Sequence, residues 1–265
     1  MIAAFRAEWI RLSRPKMFAT IGLLFGAFGM LGAALTFSTA ARSASQLVGH
    51  EKFETTLASL GHPAGASHGF IVSTSLIGLV VAVLAAATIG GDYGLGTWRP
   101  LLVRHPRRAT LLAGKTSAFT ALIAAGLATT WLVALGVSFA GAHLRGVPTT
   151  AWISLAGARA AGNAYLKALF ICIAWQLIGT ALAVLTRSVT IAVVAVVVWA
   201  VPVERIVGSS ISTAPHWLPG LLLEALSVSD TKTASTGHVL TVVSLVAVVL
   251  FVVALVDFVR RDVTA

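Results

Sequence analysis

Residues 116–142 read TSAFTALIAAGLATTWLVALGVSFAGA and contain no charged side chain. An α-helix crosses about 30 Å of hydrocarbon with about 20 consecutive apolar residues, so this stretch is long enough to span a membrane. The whole chain of 265 residues is 57% hydrophobic and 11% charged, with a mean hydropathy of +0.92. Soluble domains carry about 25% charged residues. The sequence is therefore that of a membrane protein.

Further apolar runs lie on both sides of this stretch. They are separated by short segments that hold nearly all the charges and many of the prolines and glycines, which end helices. We predict an all-α integral membrane protein with one membrane domain and six transmembrane helices. The predicted spans are 17–41, 69–90, 116–142, 164–186, 189–203 and 237–257. The fifth run is the shortest, about 22 Å at 1.5 Å per residue.

The residues before the first span form a different kind of element. Apolar side chains recur there at steps of three and four, at Ile2, Phe5, Trp9 and Leu12. This spacing, with basic residues in between, is typical of a helix that lies flat on a membrane surface. We therefore predict an interfacial helix at 1–16, with Phe5, Glu8, Trp9 and Arg11 as its main residues. The alternative is a simple continuation of the first span, but Pro15 favours a break.

The basic residues indicate an orientation. With the N-terminus in the cytoplasm, most of the 19 lysines and arginines fall in cytoplasmic segments, as the positive-inside rule describes. We predict that both termini and the segment 92–115 are cytoplasmic. The formal net charge of +10 is explained by this asymmetry and by contacts with anionic lipid headgroups, so nucleic-acid binding is not expected.

A near-match to a phosphate-binding loop occurs at 109–116, ATLLAGKT. A true loop begins with glycine and lies between a strand and a helix, so that backbone N–H groups surround the phosphates. Here the first position is Ala109, no strand precedes it, and Thr116 opens a predicted span. We predict that the chain has no nucleotide-binding site of its own and is not an enzyme.

Other catalytic and metal-binding patterns are weak. Cys172 is the only cysteine, and His50-Glu51 begins like a zinc-protease motif but lacks the second histidine. We predict no metal site and no cofactor bound by this chain. Lys167 is the only charged residue well inside a predicted span, near its outer edge, and the other charges fall at span ends or in loops. Ion-driven carriers place ionisable groups inside the membrane, so the energy for transport is expected from elsewhere.

The stretch 92–115 is the most distinctive part of the sequence. Its characteristic pieces are Asp92-Tyr93, Gly96-Thr97-Trp98-Arg99, Leu101-Leu102, Pro106-Arg107-Arg108 and Gly114-Lys115. In this order they resemble the first intracellular loop of the type-2 permease family of ATP-binding cassette (ABC) exporters. Further similar segments cover most of the chain in the family's order: Ala7–Leu12, Leu185–Ser188, Val203-Glu204, Trp217–Gly220 and Arg260–Thr264.

The resemblance implies that 92–115 carries a coupling helix that inserts into a cleft on a separate ATPase subunit. The residues implied in this contact are Asp92, Tyr93, Gly96, Thr97, Trp98, Arg99, Leu101, Leu102, Arg104, Arg107, Arg108 and Lys115. Trp98, Leu101 and Leu102 are expected to form an apolar knob, and the arginines to pair with carboxylates on the partner. Headgroup anchoring is the alternative role for each arginine. Pro100 departs from the family pattern and leaves the start of the helix open, since proline fits mainly in a first turn.

The resemblance also implies a re-entrant segment at 204–228, after the short fifth span. Non-spanning backbone of this kind is buried in protein or faces water. The implied outer-gate residues are Glu204, Arg205, Pro219 and Gly220. The alternative is that the charged residues of this segment form a solvated outer rim.

These features predict the permease subunit of an ATP-driven exporter in a bacterial cell membrane. Its expected partners are the lipid bilayer, two ATPase subunits that hold ATP and Mg²⁺, and a second copy of the chain or a homologous permease. The expected substrate is an amphiphile such as a drug, antibiotic, peptide or lipid. A non-transporting assembly or sensor protein is the alternative function. An intramembrane enzyme that uses Gln176 or Ser75 is a third hypothesis.

Overall fold

The computed structural model describes residues 2–40, 56–104, 107–228 and 234–260, and these residues form only helices and the turns between them. The helices are α1 (Ile2–Leu12), α2 (Pro15–Ala40), α3 (Leu57–Leu60), α4 (His68–Gly94), α5 (Trp98–Arg104), α6 (Arg108–Arg145), α7 (Leu155–Thr186), α8 (Val189–Val198), α9 (Glu204–Ser210), α10 (Pro219–Val228) and α11 (Thr236–Arg260). A single turn of π-helix, Trp199–Val203, joins α8 to α9 and is called the π-turn below. The predicted all-α class is confirmed.

Within the described ranges, six helical segments are long and apolar enough to cross a membrane. They are Pro15–Ala40, Gly65–Gly94, Arg108–Arg145, Leu155–Thr186, Val189–Ser210 and Thr236–Arg260. Their number and order agree with the six predicted spans, and the chain is a multi-pass membrane protein. The assignment of all residues to one membrane domain stays a prediction.

The helices extend beyond the apolar runs that predicted them. The fifth candidate span, Val189–Ser210, contains the predicted run 189–203 and continues past it. Backbone hydrogen bonds carry a helix through charged residues, whereas hydropathy detects only its apolar part. Glu204 therefore lies inside a candidate span, and Lys167 is not the only ionisable residue in such a position.

The residues fall into two compact units. One comprises Met1–Met17, Ile77–Ile123 and Phe170–Ala265, and it contains two clusters of buried apolar side chains. Core A gathers side chains from α4, α7, α8, α10 and α11: Ala82, Ile171, Ala174, Trp175, Ile178, Val196, Leu222, Leu223, Leu226, Val239, Val243 and Ala247. Core B gathers side chains from α4 to α8 and from α11: Ala86, Ile89, Trp98, Leu111, Leu112, Ala181, Ala183, Val184, Ala192, Ala254 and Phe258.

The other unit comprises Phe18–Leu76 and Ala124–Leu169. Its helices α2 and α6 approach closely, because a Cβ on Gly29 would overlap the backbone carbonyl of Thr130. The Thr130 hydroxyl donates to the backbone carbonyl of Phe25 at 2.9 Å. Such small-residue contacts, with a hydroxyl bonded across the helix pair, are the usual way in which membrane helices pack.

Candidate functional site

The segment 92–115 folds as a tight turn, the short helix α5 and the first part of α6. In the turn, Gly96 has a φ of +63°, a conformation that is unfavourable for residues with a Cβ atom. Pro100 is the third residue of α5. A first-turn N–H has no acceptor within the helix, so a proline there breaks no helical hydrogen bond. The start of α5, which the sequence leaves open, is therefore compatible with Pro100.

Asp92 fixes the turn from the last part of α4. The hydroxyl of Thr97 donates to Asp92 Oδ1 at 2.9 Å, and the Thr97 N–H donates to the Asp92 backbone carbonyl at 3.0 Å. Thr97 immediately precedes α5, so these two bonds determine where the helix begins. A carboxylate near the C-terminal end of a helix interacts unfavourably with the helix dipole, and Asp92 is stabilised there by nearby cations.

Four charged residues meet at this point and are called the charge cluster: Glu8, Arg11, Asp92 and Lys115. Lys115 Nζ lies 2.9 Å from Asp92 Oδ2 and 3.0 Å from Glu8 Oε2. Arg11 also pairs with Glu8, and its Nη1 lies 3.4 Å from Asp92 Oδ1. The cluster has two acidic and two basic groups, so its formal charge is balanced. It joins α1, α4 and α6.

The charge cluster is shielded from solvent except at Arg11. The side chains of Lys115 and Asp92 are each 4% exposed and that of Glu8 is 11% exposed, whereas Arg11 is 42% exposed. Removing one partner from a buried ion pair costs about 3–5 kcal/mol, because the remaining charge stays uncompensated. The exposed pair made by Arg11 contributes about 0–1 kcal/mol. Lys115 is therefore the residue on which the cluster depends most.

The helix α1 packs directly on α6 beside the charge cluster. A Cβ on Gly114 would lie 2.6 Å from Ala4 Cβ, so glycine is needed for this approach. Leu12 is fully buried, and the Phe5 and Trp9 rings stack with centroids 6.1 Å apart. Gly114 thus allows α1 to approach α6 closely, and Lys115 binds α1 through Glu8.

Trp98, the first residue of α5, points into core B. Its ring packs edge-on against Phe258, with centroids 4.8 Å apart, and lies 5.6 Å from the ring of Tyr93. Lys115 Nζ lies 5.5 Å from the Trp98 ring centroid, within the range of a cation–π interaction. The structure thus differs from the expectation of an outward knob that includes Trp98, because two aromatic neighbours and a cation hold the indole on the inner side.

The exposed side of this segment carries two different apolar residues. Leu95 is 80% exposed in the turn, and Val103 is 84% exposed near the end of α5. Leu101 and Leu102, which the sequence placed in the knob, are half-buried against core B. Sequence reasoning missed Leu95 and Val103, since neither belongs to the motif that drew attention to the segment.

The predicted arginines have different surroundings. Arg107 is exposed, and Arg108 donates to the backbone carbonyl of Val259 at 3.5 Å. The side chains of Arg99 and Arg104 and the residues His105 and Pro106 lie outside the described part of the structure. The exposed surface of the loop therefore combines at least one exposed arginine, Arg107, with the side chains of Leu95 and Val103.

A second predicted group of residues lies at α9 and α10. The side chain of Glu204 is fully buried, and its Oε2 accepts a hydrogen bond from the Leu221 N–H at 2.8 Å. Arg205 and Glu224 form an exposed ion pair of 3.1 Å. The buried position of Glu204 does not fit the alternative that this segment is a solvated outer rim. The more exposed Arg205–Glu224 pair does fit that alternative.

The polar groups considered for intramembrane chemistry have structural partners. Gln176 is fully buried, donates to the Thr116 backbone carbonyl at 2.8 Å and accepts from the Thr120 hydroxyl at 3.0 Å. These bonds link α6 to α7 and use both ends of the amide. Gln176 therefore acts as a helix–helix contact, and this geometry gives no support to the enzyme hypothesis.

The described residues contain no group of three or more histidine, cysteine, aspartate or glutamate side chains that could hold a metal ion. The prediction for His50 and Glu51 lies outside the described residues, as do residues 261–264 of the tail. Cys172 of α7 is a free cysteine with a buried side chain. The candidate site is thus one of ion pairs and packing surfaces.

The chain matches no protein-family model and no curated protein. The functional argument therefore depends on the geometry of three features: the charge cluster, the loop helix α5 and the contact between α9 and α10. Each of them contains residues that the sequence had singled out, and each joins elements that are separate in the sequence.

Proposed function

We propose that this chain is the permease subunit of an ATP-driven exporter of the ABC type, which forms the transport pathway and couples to a separate ATPase subunit. One observation carries the proposal. A short helix, α5, connects two candidate spans and is held from inside by Trp98 and the charge cluster, while Val103 on the helix and Leu95 in the turn before it are exposed. A loop helix that is packed on one side and exposed on the other is suited to receive motion from a docked partner.

The charge cluster gives the loop a mechanical connection to several helices. Asp92 holds the turn before α5 through Thr97, and Lys115 connects Asp92 to Glu8 of α1. A displacement of α5 therefore acts on α4, α6 and α1 together. In this proposal α1 is the interfacial helix at the cytoplasmic surface, and closure of the ATPase is transmitted to the spans through these contacts.

The packing of α10 supports the proposed re-entrant segment. Ten residues of helix are about 15 Å long, too short to cross about 30 Å of hydrocarbon. Yet Leu222 and Leu223 are buried in core A with Ile171 and Trp175, which lie well inside the long helix α7. A short apolar helix that packs among spanning helices is what a segment dipping into the membrane requires.

The remaining parts of the proposal follow from the sequence. The chain is placed in a bacterial cell membrane with both termini in the cytoplasm. A second copy or a homologous permease completes the pathway, and two ATPase subunits hold ATP and Mg²⁺. An amphiphile is the proposed substrate, because the span faces are apolar with scattered serine and threonine hydroxyls. Glu204, Arg205, Pro219 and Gly220 are assigned to the outer gate.

The proposal is tested by purifying the tagged chain from its native host in mild detergent and identifying what co-elutes. We expect a stoichiometric soluble subunit with a true phosphate-binding loop. The double variant Leu95→Asp with Val103→Asp is expected to lose it, because one charge in the exposed turn and one on the exposed side of α5 disrupt an apolar contact without affecting core B.

Leu144→Asp is the matched control. Leu144 is 81% exposed near the C-terminal end of α6, away from the α5 loop in the sequence, so this variant is expected to keep the ATPase. Retention of the ATPase by the Leu95/Val103 variant would contradict the docking assignment. If the native chain elutes alone or with other membrane proteins in several detergents, the exporter proposal is wrong and the assembly or sensor function replaces it.

A further inference from the structure

The short helix α9 is attached to the rest of its unit in an unusual way. Its only buried side chain is Glu204, and Ile206 is 63% exposed. The neighbouring helix α10 is attached by apolar burial instead, with Leu222, Leu223 and Leu226 in core A. One helix of the pair is therefore anchored by packing, while the other is held mainly by a polar contact.

The polar contact is between the Glu204 carboxylate and the first turn of α10. The Leu221 N–H donates to Glu204 Oε2 at 2.8 Å. The N–H groups of this first turn have no acceptor within α10, and the positive end of the helix dipole favours a negative group there. A Cβ on Gly220 would lie 2.5 Å from Glu204 Oε2, so a side chain at this position would displace the carboxylate.

Immediately before Glu204 the helical hydrogen-bond pattern changes. Trp199–Val203 forms a π-turn with Pro202 inside it, and proline cannot donate a backbone hydrogen bond. Such turns and prolines are where helices bend. The bending point and the buried polar attachment are therefore adjacent, both at the N-terminal end of α9.

We propose that Glu204 is a latch that holds α9 against α10, and that the latch releases at the π-turn when the pathway opens. In this arrangement α10 stays in core A and α9 is the part that moves. A carboxylate–backbone contact suits this role because water replaces its hydrogen bonds on opening, whereas buried leucines have no such compensation. The role of the latch in transport rests on the proposed exporter function, but the latch itself does not.

The latch is tested first by the reactivity of a cysteine at Leu221, a half-buried position of α10 beside α9. A Cβ on Gly208 would lie 2.6 Å from Leu221 Cδ1, so Leu221 is adjacent to α9. In a Leu221→Cys chain we expect Glu204→Leu to raise the rate of maleimide labelling about tenfold, the effect of losing a hydrogen bond to a charged group. Glu204→Gln keeps a carbonyl acceptor and is expected to give a smaller rise.

Three controls separate release of α9 from unfolding. Cys172 is buried, so the chain without an added cysteine is the unreactive reference. Val243→Cys, fully buried in α11, is expected to remain unlabelled in every variant that keeps core A folded. Glu224→Gln removes a partly exposed carboxylate of the same helix pair and is expected to leave the labelling rate within about twofold. Equal rates in Glu204→Leu and Glu224→Gln would overturn the latch.

The second test concerns transport. A disulfide between Gly208→Cys and Leu221→Cys joins α9 to α10 and is expected to abolish transport while leaving the ATPase bound, with recovery on reduction. Transport at the native rate by the crosslinked chain would overturn the gating role. If no ATPase co-purifies with the native chain, the exporter proposal fails, while the labelling experiment still decides whether Glu204 is a latch.

Discussion

Two buried carboxylates in the same unit are neutralised in opposite ways. Asp92 lies 2.9 Å from a buried ammonium group, that of Lys115, in a cluster of four charges. Glu204 has no basic partner in the described structure, and its Oε2 accepts a hydrogen bond from the Leu221 N–H. The first arrangement binds three helices through several mutual contacts, and the second holds one short helix through one residue.

The comparison teaches how one chain separates rigid from movable contacts. Breaking the charge cluster leaves a charge without a partner in a buried place, so every partial opening is costly. Opening the Glu204 contact exposes a carboxylate and the Leu221 N–H group, which water readily solvates. The charge cluster is therefore suited to stay intact while it transmits a displacement, and the α9–α10 contact is suited to open.

The largest expected effect is that of Lys115→Met. It leaves Glu8 and Asp92 buried beside each other with only the half-exposed Arg11 as a cationic partner, and we expect a loss of about 3–5 kcal/mol in the free energy of unfolding, measured by denaturant titration in detergent. The triple variant Glu8→Gln, Asp92→Asn and Lys115→Met leaves no unpaired buried charge, so it is expected to recover most of the lost free energy of unfolding. A change of less than about 1 kcal/mol for Lys115→Met would contradict the cluster's role.

Gly220→Ala tests the latch side of the comparison. The added methyl group collides with Glu204 Oε2, so we expect a loss of about 1–3 kcal/mol in the same titration, together with faster labelling at Leu221→Cys. Gly237→Ala is the matched control, because a Cβ there meets nothing within 4 Å in α11. The control is expected to be neutral or to stabilise the protein by up to about 1 kcal/mol. Equal effects of both variants would show that Gly220 is not needed for close approach.

Gly96→Ala tests whether the turn before α5 is set by its backbone. Nothing lies within 4 Å of a Cβ at Gly96, so only the positive φ is expected to matter, at a cost of about 1 kcal/mol. Gly94→Ala, also in open space but without a positive φ, is expected to leave the midpoint of unfolding unchanged or to raise it. The reverse order of stability would be inconsistent with the described turn.

The smallest expected effect is that of Arg205→Ala. The pair with Glu224 is largely exposed, with Arg205 61% exposed, so its loss is expected to cost less than about 1 kcal/mol. The labelling rate at Leu221→Cys is expected to change by less than about twofold. An effect as large as that of Glu204→Leu would show that the exposed pair, and not the buried carboxylate, holds α9 in place.

The spans could be predicted from the sequence because hydropathy acts locally, but the meeting of distant residues could not. Glu8 and Lys115 are 107 residues apart, and each was singled out without any sign that they touch. The direction of Trp98 was missed for a related reason. The motif around α5 identifies its residues but not which side of the helix packs inward. That side depends on contacts of Trp98 with Tyr93 and Phe258, and Phe258 lies near the other end of the chain.

The fifth span shows the same limit. The run 189–203 predicted a short span, and the sequence left open whether Glu204 is solvated or buried. Burial follows from the approach of α10, where the small Gly220 allows the Leu221 N–H to reach the carboxylate. Local composition around Glu204 contains no signal for a partner that lies 17 residues further along the chain.

The separation of Glu8 from Lys115 also has a consequence for the order of synthesis. The ribosome makes α1 first, but its buried cation arrives only with α6, 107 residues later. Until then Glu8 lacks this partner, so α1 reaches its final packing against α6 only after α2 and α4 have been made. Asp92 and Lys115, by contrast, emerge within one pair of consecutive long helices and meet early. Docking of α1 is therefore a late step in biogenesis, which closes a site that the growing chain has already built.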